Sequence, residues 1–197
     1  FNINNDQIYI DKSVLRNDAF NKYKNLNLLD KKKNFFFTDK SLENFFYIEI
    51  ILRLFPTAKF IHCKRNKIDN IFAIYQNFLT KMSWTHSISD IILYFDNYLK
   101  VMERYSNEFK EKIFSVELDE LTINSKQVSK KMFEFCELEW SEESLEYHKR
   151  KDLFTSTASN IQIRQKIYKY NDTKYDVYKK HLNDFGKRYN WLKKDLS

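Results

Sequence analysis

Apolar residues recur at two different periods along this chain, and each change of period predicts an element. Ile68, Ile71, Phe72, Tyr75, Phe78 and Leu79 repeat at helical spacing, which predicts an amphipathic helix over residues 67–79. Immediately ahead of it, Phe60, Ile61 and Cys63 form a short apolar run that reads as a buried strand over residues 59–64. Asn66 stands in the N-cap position between the two, with Asp69 three residues on as a weak capping box.

The same reading extends in both directions. Residues 1–30 are irregular, with helical pieces around 11–29. Phe35, Phe36 and Phe37 read as a second buried strand, ending at Thr38-Asp39-Lys40. Ser41 could cap a helix over 42–55, with Leu42, Phe45, Ile48, Ile51, Leu52 and Phe55 on its apolar face, and Pro56 stops it. Beyond the central strand and helix comes a longer helix over 89–109, striped by Ile91, Ile92, Phe95, Tyr98, Leu99 and Met102. A third strand follows at 112–118, then helices at 125–136 and 141–148. Residues 151–172 lack periodicity and read as a long loop, and a last helix is expected from 173 to 185.

Strands separated by helices predict right-handed crossovers and an α/β fold, a parallel sheet flanked by helices. With 197 residues, 43% of them hydrophobic, the chain suits a single domain with a core of its own. Gly186 and Pro56 are the one glycine and the one proline, which disfavours a turn-rich sandwich or barrel and excludes a Gly-rich phosphate loop or a Walker-type kinase within this sequence. Phe1 is not an initiator methionine, so a processed product or a piece of a longer chain is expected.

Net charge is +7, and this fits a polyanionic partner only weakly, because lysines and asparagines are spread throughout. Lys31 to Lys33, for example, reads as a solvated turn. Cys63 and Cys136 read as small buried hydrophobes of a reducing, cytoplasmic setting rather than a disulfide. His62, His86, His148 and His181 show no metal-ligand spacing, so no metal is expected. No membrane span or signal peptide is legible.

The candidate chemistry lies at strand ends, where open α/β sheets bind ligands. Lys40, Lys64 and Arg65 all fall there in this reading, three cations from two strands on one edge. Arg65 beside a helix start is an anion site in principle: helix N–H groups and the dipole favour negative charge, and a guanidinium grips phosphate with two hydrogen bonds. The bland alternative for Arg65 is a surface salt bridge to Asp69. For Lys40 it is a solvated strand-end lysine. The Thr157 to Gln165 segment offers hydroxyls, glutamines and Arg164 in a loop, equally readable as an ordinary polar connection.

Taken together, Thr38-Asp39-Lys40, the stretch LFPTAKFIHCKRNKIDNIFAIYQNF from Leu54 to Phe78, and TSTASNIQIRQKIY from Thr155 to Tyr168 resemble the bacterial sulfotransferases that often follow tetratricopeptide repeats, relatives of the tyrosylprotein sulfotransferases. The likeness runs from about Phe35 to about Leu182. It implies a P-loop-like sulfotransferase fold and transfer of a sulfuryl group from 3′-phosphoadenosine 5′-phosphosulfate to an acceptor hydroxyl or amine, without a metal. It further implies that Arg65 binds the 3′-phosphate and that Lys40 stabilises charge on the leaving phosphate. Ser159 would then lie by the sulfuryl or 5′-phosphate region, with Gln162 and Arg164 in the loop that closes over the nucleotide.

The sequence departs from that family pattern at several places. Ala73 stands where a serine is usual, eight residues after Arg65, and Lys67 replaces the usual proline, which could restore positive charge. Leu118-Asp119 replaces a Tyr-Glu pair. Nothing before Phe35 resembles the family's opening strand and 5′-phosphosulfate turn, and Asp6, Asp11 and Asp18 are only acidic residues in the right half for a general base. The expectation is therefore a sulfotransferase domain incomplete at its amino end, with upstream tetratricopeptide repeats as an expected neighbour, an unidentified peptide, glycan or small-molecule acceptor and no nucleic-acid partner. The alternative is a non-catalytic relative that binds a nucleotide, a nucleic acid or a partner.

Overall fold

The computed structural model describes residues 11–25, 38–150, 162–171 and 173–197. The chain forms two compact units, Phe1–Ala58 and Lys59–Ser197.

In the first unit, helix α1 spans Lys12–Asn25, and a 3₁₀ turn at Asn44–Tyr47 runs into α2, Ile48–Leu54. The helix expected over 42–55 therefore starts later. Oδ1 of Asp39 accepts both the N–H and the hydroxyl of Ser41, at 2.9 and 2.6 Å, so Ser41 is held in an Asx turn and does not serve as a cap. Leu42 is consequently left exposed, while Ile48 is buried. The strand expected at Phe35 to Phe37 lies outside the described residues, as does Lys31 to Lys33.

The second unit carries the sheet. Strand β1, Phe60–Lys64, pairs in parallel with β2, Ile113–Glu117, in the register Phe60↔Ile113 to Lys64↔Glu117. A parallel pair needs a long crossover. Here it holds α3, Lys67–Asn77, a 3₁₀ turn at Ser83–His86, and α4, Ile88–Glu108. After β2 come α5, Leu118–Ile123, and α6, Ser125–Phe135. A kinked 3₁₀ segment, Glu142–Lys149, replaces the helix expected there. The described part of the protein is thus mostly helical, with a two-stranded parallel sheet in the second unit, and no described helix is long and apolar enough to cross a membrane.

One core organises this unit. Ile68 and Ile71 of α3 meet Ile91 and Ile92 of α4, and all four are 1% exposed or less. Leu182 and Leu192 close the cluster from the carboxy-terminal segment. That segment departs from the expected single helix. It runs as a 3₁₀ stretch, Asp176–Leu182, then α7, Asn183–Gly186, and, after a break, α8, Asn190–Leu196, which the apolar pattern did not predict. The break has a steric cause: a Cβ on Gly186 would stand 3.2 Å from the Leu196 side chain, so the missing side chain lets α8 fold back.

Two other expectations change. Tyr75 and Phe78 are exposed, because α3 ends at Asn77 and Phe78 turns outward with a left-handed φ of 41°. Cys63 is exposed and β1 is only half-buried, since β2 is its single strand neighbour among the described residues.

Lys59, part of the LFP-x-AK-x-IH stretch, has a structural task. Its ammonium donates to the carbonyl of Phe135 and to Oε1 of Glu137, both at 2.6 Å. It thereby caps the carboxyl end of α6, where unpaired carbonyls and the helix dipole favour a cation.

Candidate functional site

The site is built at the junction of β1 and α3. Asn66 caps α3 as its sequence predicts: its Oδ1 accepts the Asp69 N–H at 3.1 Å. The amides of Lys67 and Ile68 then have no partner within the helix. The reciprocal half of a capping box does not form, because the Asp69 carboxylate is engaged elsewhere.

Arg65 lies beside these amides. One of its terminal nitrogens donates to the backbone carbonyl of Asp69 at 2.9 Å. Its Nε is buried without a hydrogen-bond partner. A buried, unpaired guanidinium N–H costs free energy comparable to a lost hydrogen bond, so such a group points to a missing acceptor. The salt bridge to Asp69 weighed from the sequence is not what forms. Asp69 is 2% exposed, and its Oδ2 accepts the hydroxyl of Tyr170. Tyr170 is itself fixed by its backbone N–H, which donates to Oγ1 of Thr122 at 3.1 Å.

The neighbouring cations are already compensated. Lys64 pairs with Glu117 at 2.5 Å across the parallel register. Lys67, a candidate extra charge, pairs with Asp195 of α8 at 2.6 Å. The positive edge expected at this strand end is reduced to Arg65 within this unit.

Behind the strand end, the ring of His62 bridges α4 and β2. Its Nε2 shares a hydrogen bond with the Tyr98 hydroxyl, and its Nδ1 shares one with the Ser115 hydroxyl at 3.3 Å. Burial pushes the His62 pKa down to about 4, helped by the Lys64 charge and opposed by Glu117. Burial likewise pushes the Tyr98 hydroxyl up to about 12. His62 is therefore neutral at pH 7 and joins β1 to α4 and β2 without adding charge.

The other candidates fall in different places. Lys40 belongs to the first unit and is exposed at the end of Thr38–Lys40. Its neighbour Asp39 organises that stretch, with Oδ2 accepting the Tyr23 hydroxyl at 2.5 Å. This bond, together with burial, pushes the Tyr23 hydroxyl up to about 12. For Asp39, burial favours the neutral acid, but bonds from Ser41, Tyr23 and Asn44 outweigh it and hold the carboxyl below its usual range. Ser159 lies outside the described residues. Gln162 opens a short 3₁₀ turn, Gln162–Arg164. The Arg164 guanidinium donates to the Arg150 carbonyl at 2.9 Å.

Tyr170, Thr122, His62 and Tyr98 were not singled out from the sequence as site residues. Only the Arg65-to-Asp69 spacing signalled that a charged pair was in play, and nothing local marks a tyrosine 101 positions away as the partner of Asp69.

A parallel strand, followed by an arginine and then a capped helix, belongs to an α/β domain, in which the carboxyl end of a strand is where a ligand site is looked for. The chain belongs to the sulfotransferase family, whose family model matches residues 5–142. That match begins ahead of the Phe35 motifs and stops before the Thr155–Tyr168 stretch. The chain is also similar to an uncharacterized protein of Aquifex aeolicus (strain VF5), 36% identical over 148 residues. The match covers 73% of this chain and 19% of that protein, so the chain spans about a fifth of the relative's length.

Proposed function

We propose that this domain binds 3′-phosphoadenosine 5′-phosphosulfate and transfers its sulfuryl group to an acceptor hydroxyl or amine, in the manner of the sulfotransferases that accompany tetratricopeptide repeats. The observation that carries this reading is the buried, unpartnered Nε of Arg65 at the amino end of α3. A 3′-phosphate would supply the acceptor this nitrogen lacks, and the Lys67 and Ile68 amides would add hydrogen bonds to the same anion. The donor set fits a phosphate: a cation held by the Asp69 carbonyl and the first amides of α3.

The remaining assignments follow the family likeness. Lys40 would stabilise charge on the leaving phosphate, and Ser159 would contact the sulfuryl or 5′-phosphate region. Gln162 and Arg164 would belong to the segment closing over the nucleotide. When bound, the nucleotide supplies an activated sulfuryl group. The chain's own part is to hold the phosphates and neutralise charge, as in phosphoryl transfer.

The test is calorimetric titration with adenosine 3′,5′-bisphosphate, using a chain that includes its natural upstream sequence. Saturable binding that Arg65→Ala weakens at least tenfold supports the reading. Absent binding, or binding indifferent to Arg65→Ala, overturns it.

A second reading, a nucleotide binder without turnover, is favoured by one observation: Lys64 and Lys67 are spent on Glu117 and Asp195. It predicts bisphosphate binding with no sulfuryl release from the intact donor, with or without acceptors. Turnover above the rate in buffer dismisses it.

A further inference from the structure

Arg65 precedes the Asn66 cap of α3, and Asp69 lies in the first turn of that helix, close enough for one Arg65 terminal nitrogen to reach the Asp69 backbone. They do not pair through their charges. Arg65 holds the carbonyl of Asp69, and the carboxylate is taken by Tyr170. The carboxylate is almost fully buried, and its acceptor capacity has to be met by some donor. The Tyr170 hydroxyl meets part of that capacity, and the unpartnered Nε of Arg65, whose terminal nitrogen already bonds the carbonyl of the same residue, is the alternative donor. An ion pair between Arg65 and this carboxylate would compensate the positive charge that an incoming anion needs.

We infer that Tyr170 is a specificity-determining positioning residue: it holds the Asp69 carboxylate away from Arg65 and so keeps the guanidinium open for a phosphate. The inference rests on the reading of Arg65 as a phosphate ligand. Tyr170 can do this because it is anchored independently. Its backbone N–H is tied to Thr122, whose own hydroxyl donates to the Asp119 carbonyl at 3.0 Å in α5. The hydroxyl is thus presented to Asp69 by a fixed frame rather than by a wandering side chain. The same anchoring fastens residues 162–171, which carry Arg164, to the element that follows β2. The anion site and the segment after the loop therefore share one hydrogen bond.

Tyr170→Phe removes the hydroxyl and keeps the ring. In the full chain, the ratio of affinities for adenosine 3′,5′-bisphosphate over adenosine 5′-monophosphate is expected to fall about tenfold, the scale of one hydrogen bond to a charged group. Affinity for the monophosphate, which lacks the 3′-phosphate, should move less than twofold. In an Asp69→Asn background, where no charge competes for Arg65 and the amide oxygen still accepts from Tyr170, the same change should leave the ratio unaltered. In the nucleotide-free protein, Tyr170→Phe should shift the Arg65 Nε–H resonance, and Asp69→Asn should suppress that shift.

An unchanged ratio, an equal loss for both nucleotides, or an equal effect in the Asp69→Asn background overturns the inference and leaves Tyr170 a purely structural residue. A wild-type protein that does not distinguish the two nucleotides defeats the reading of Arg65 instead. The Nε–H resonance then decides by itself whether Tyr170 keeps Asp69 off Arg65.

Discussion

Lys67, in the first turn of α3, and Asp195, in the last helix, are joined by an ion pair of 2.6 Å, with Lys67 also lying over the Trp191 ring. The pair fastens α8 to α3 beside the candidate anion site, and it withdraws from that site a cation that the sequence placed there.

Asp195→Ala is expected to have opposite effects on stability and binding. The pair is partly exposed, 35% and 25% for its two side chains, so its loss should cost only about 1 kcal/mol. The released Lys67 ammonium should tighten adenosine 3′,5′-bisphosphate binding by a few-fold, more at low salt. Urea unfolding and titration at two ionic strengths check both, and weaker nucleotide binding would refute the idea that Asp195 spends the Lys67 charge.

His62 makes stability depend on pH. Its folded pKa of about 4 lies below the ordinary histidine value of 6.5, so between these values the unfolded chain binds the extra proton. Stability is therefore fully present above pH 6.5, falls as the pH drops toward 4, and levels off below it, by roughly 1–2 kcal/mol after allowance for partial solvent access. His62→Gln, which keeps hydrogen-bonding capacity, should flatten this slope. Unfolding midpoints across pH 4–7 that decline identically in both proteins would contradict the assignment.

Ala73→Ser introduces the hydroxyl that the family resemblance leads one to expect eight residues after Arg65. If α3 presents this position to the 3′-phosphate, the added donor should tighten bisphosphate binding by about tenfold and leave adenosine 5′-monophosphate unaffected. Calorimetry with both nucleotides tests this, and no gain would place Ala73 away from the phosphate.

Asn66→Ala removes the cap of α3 and should destabilise the protein by about 1 kcal/mol, whereas Asn66→Asp should retain most of the stability. Because α3 supplies both Ile68 and Ile71 to the core, the loss should appear in global unfolding, not in local fraying. Equal stability of Asn66→Ala and wild type in urea would mean the Asp69 N–H finds another acceptor.

Much of the scaffold was legible because it depends on local rules. Periodicity located β1, α3, α4, β2 and α6 to within a few residues, and the Asn66 cap followed from side-chain chemistry three residues apart. The short α5 was not legible, since Leu118 continues the apolar run of β2 and hides the change of period. Nor was α8, whose place depends on the contact of Gly186 with Leu196 rather than on a stripe of its own.

Local pattern suffices to place charge at the end of β1: Lys64, Arg65 and Lys67 are there because the strand and helix are where the periodicity puts them. Which of them stays uncompensated depends on partners far away in the chain. Glu117 is 53 positions from Lys64, Asp195 is 128 from Lys67, and Tyr170 is 101 from the Asp69 that would otherwise claim Arg65. Charge pairing depends on distance in space, and of these acidic partners only Asp69 is buried away from competing water. A linear reading sees the cations but not the partners that neutralise two of them and leave the third open.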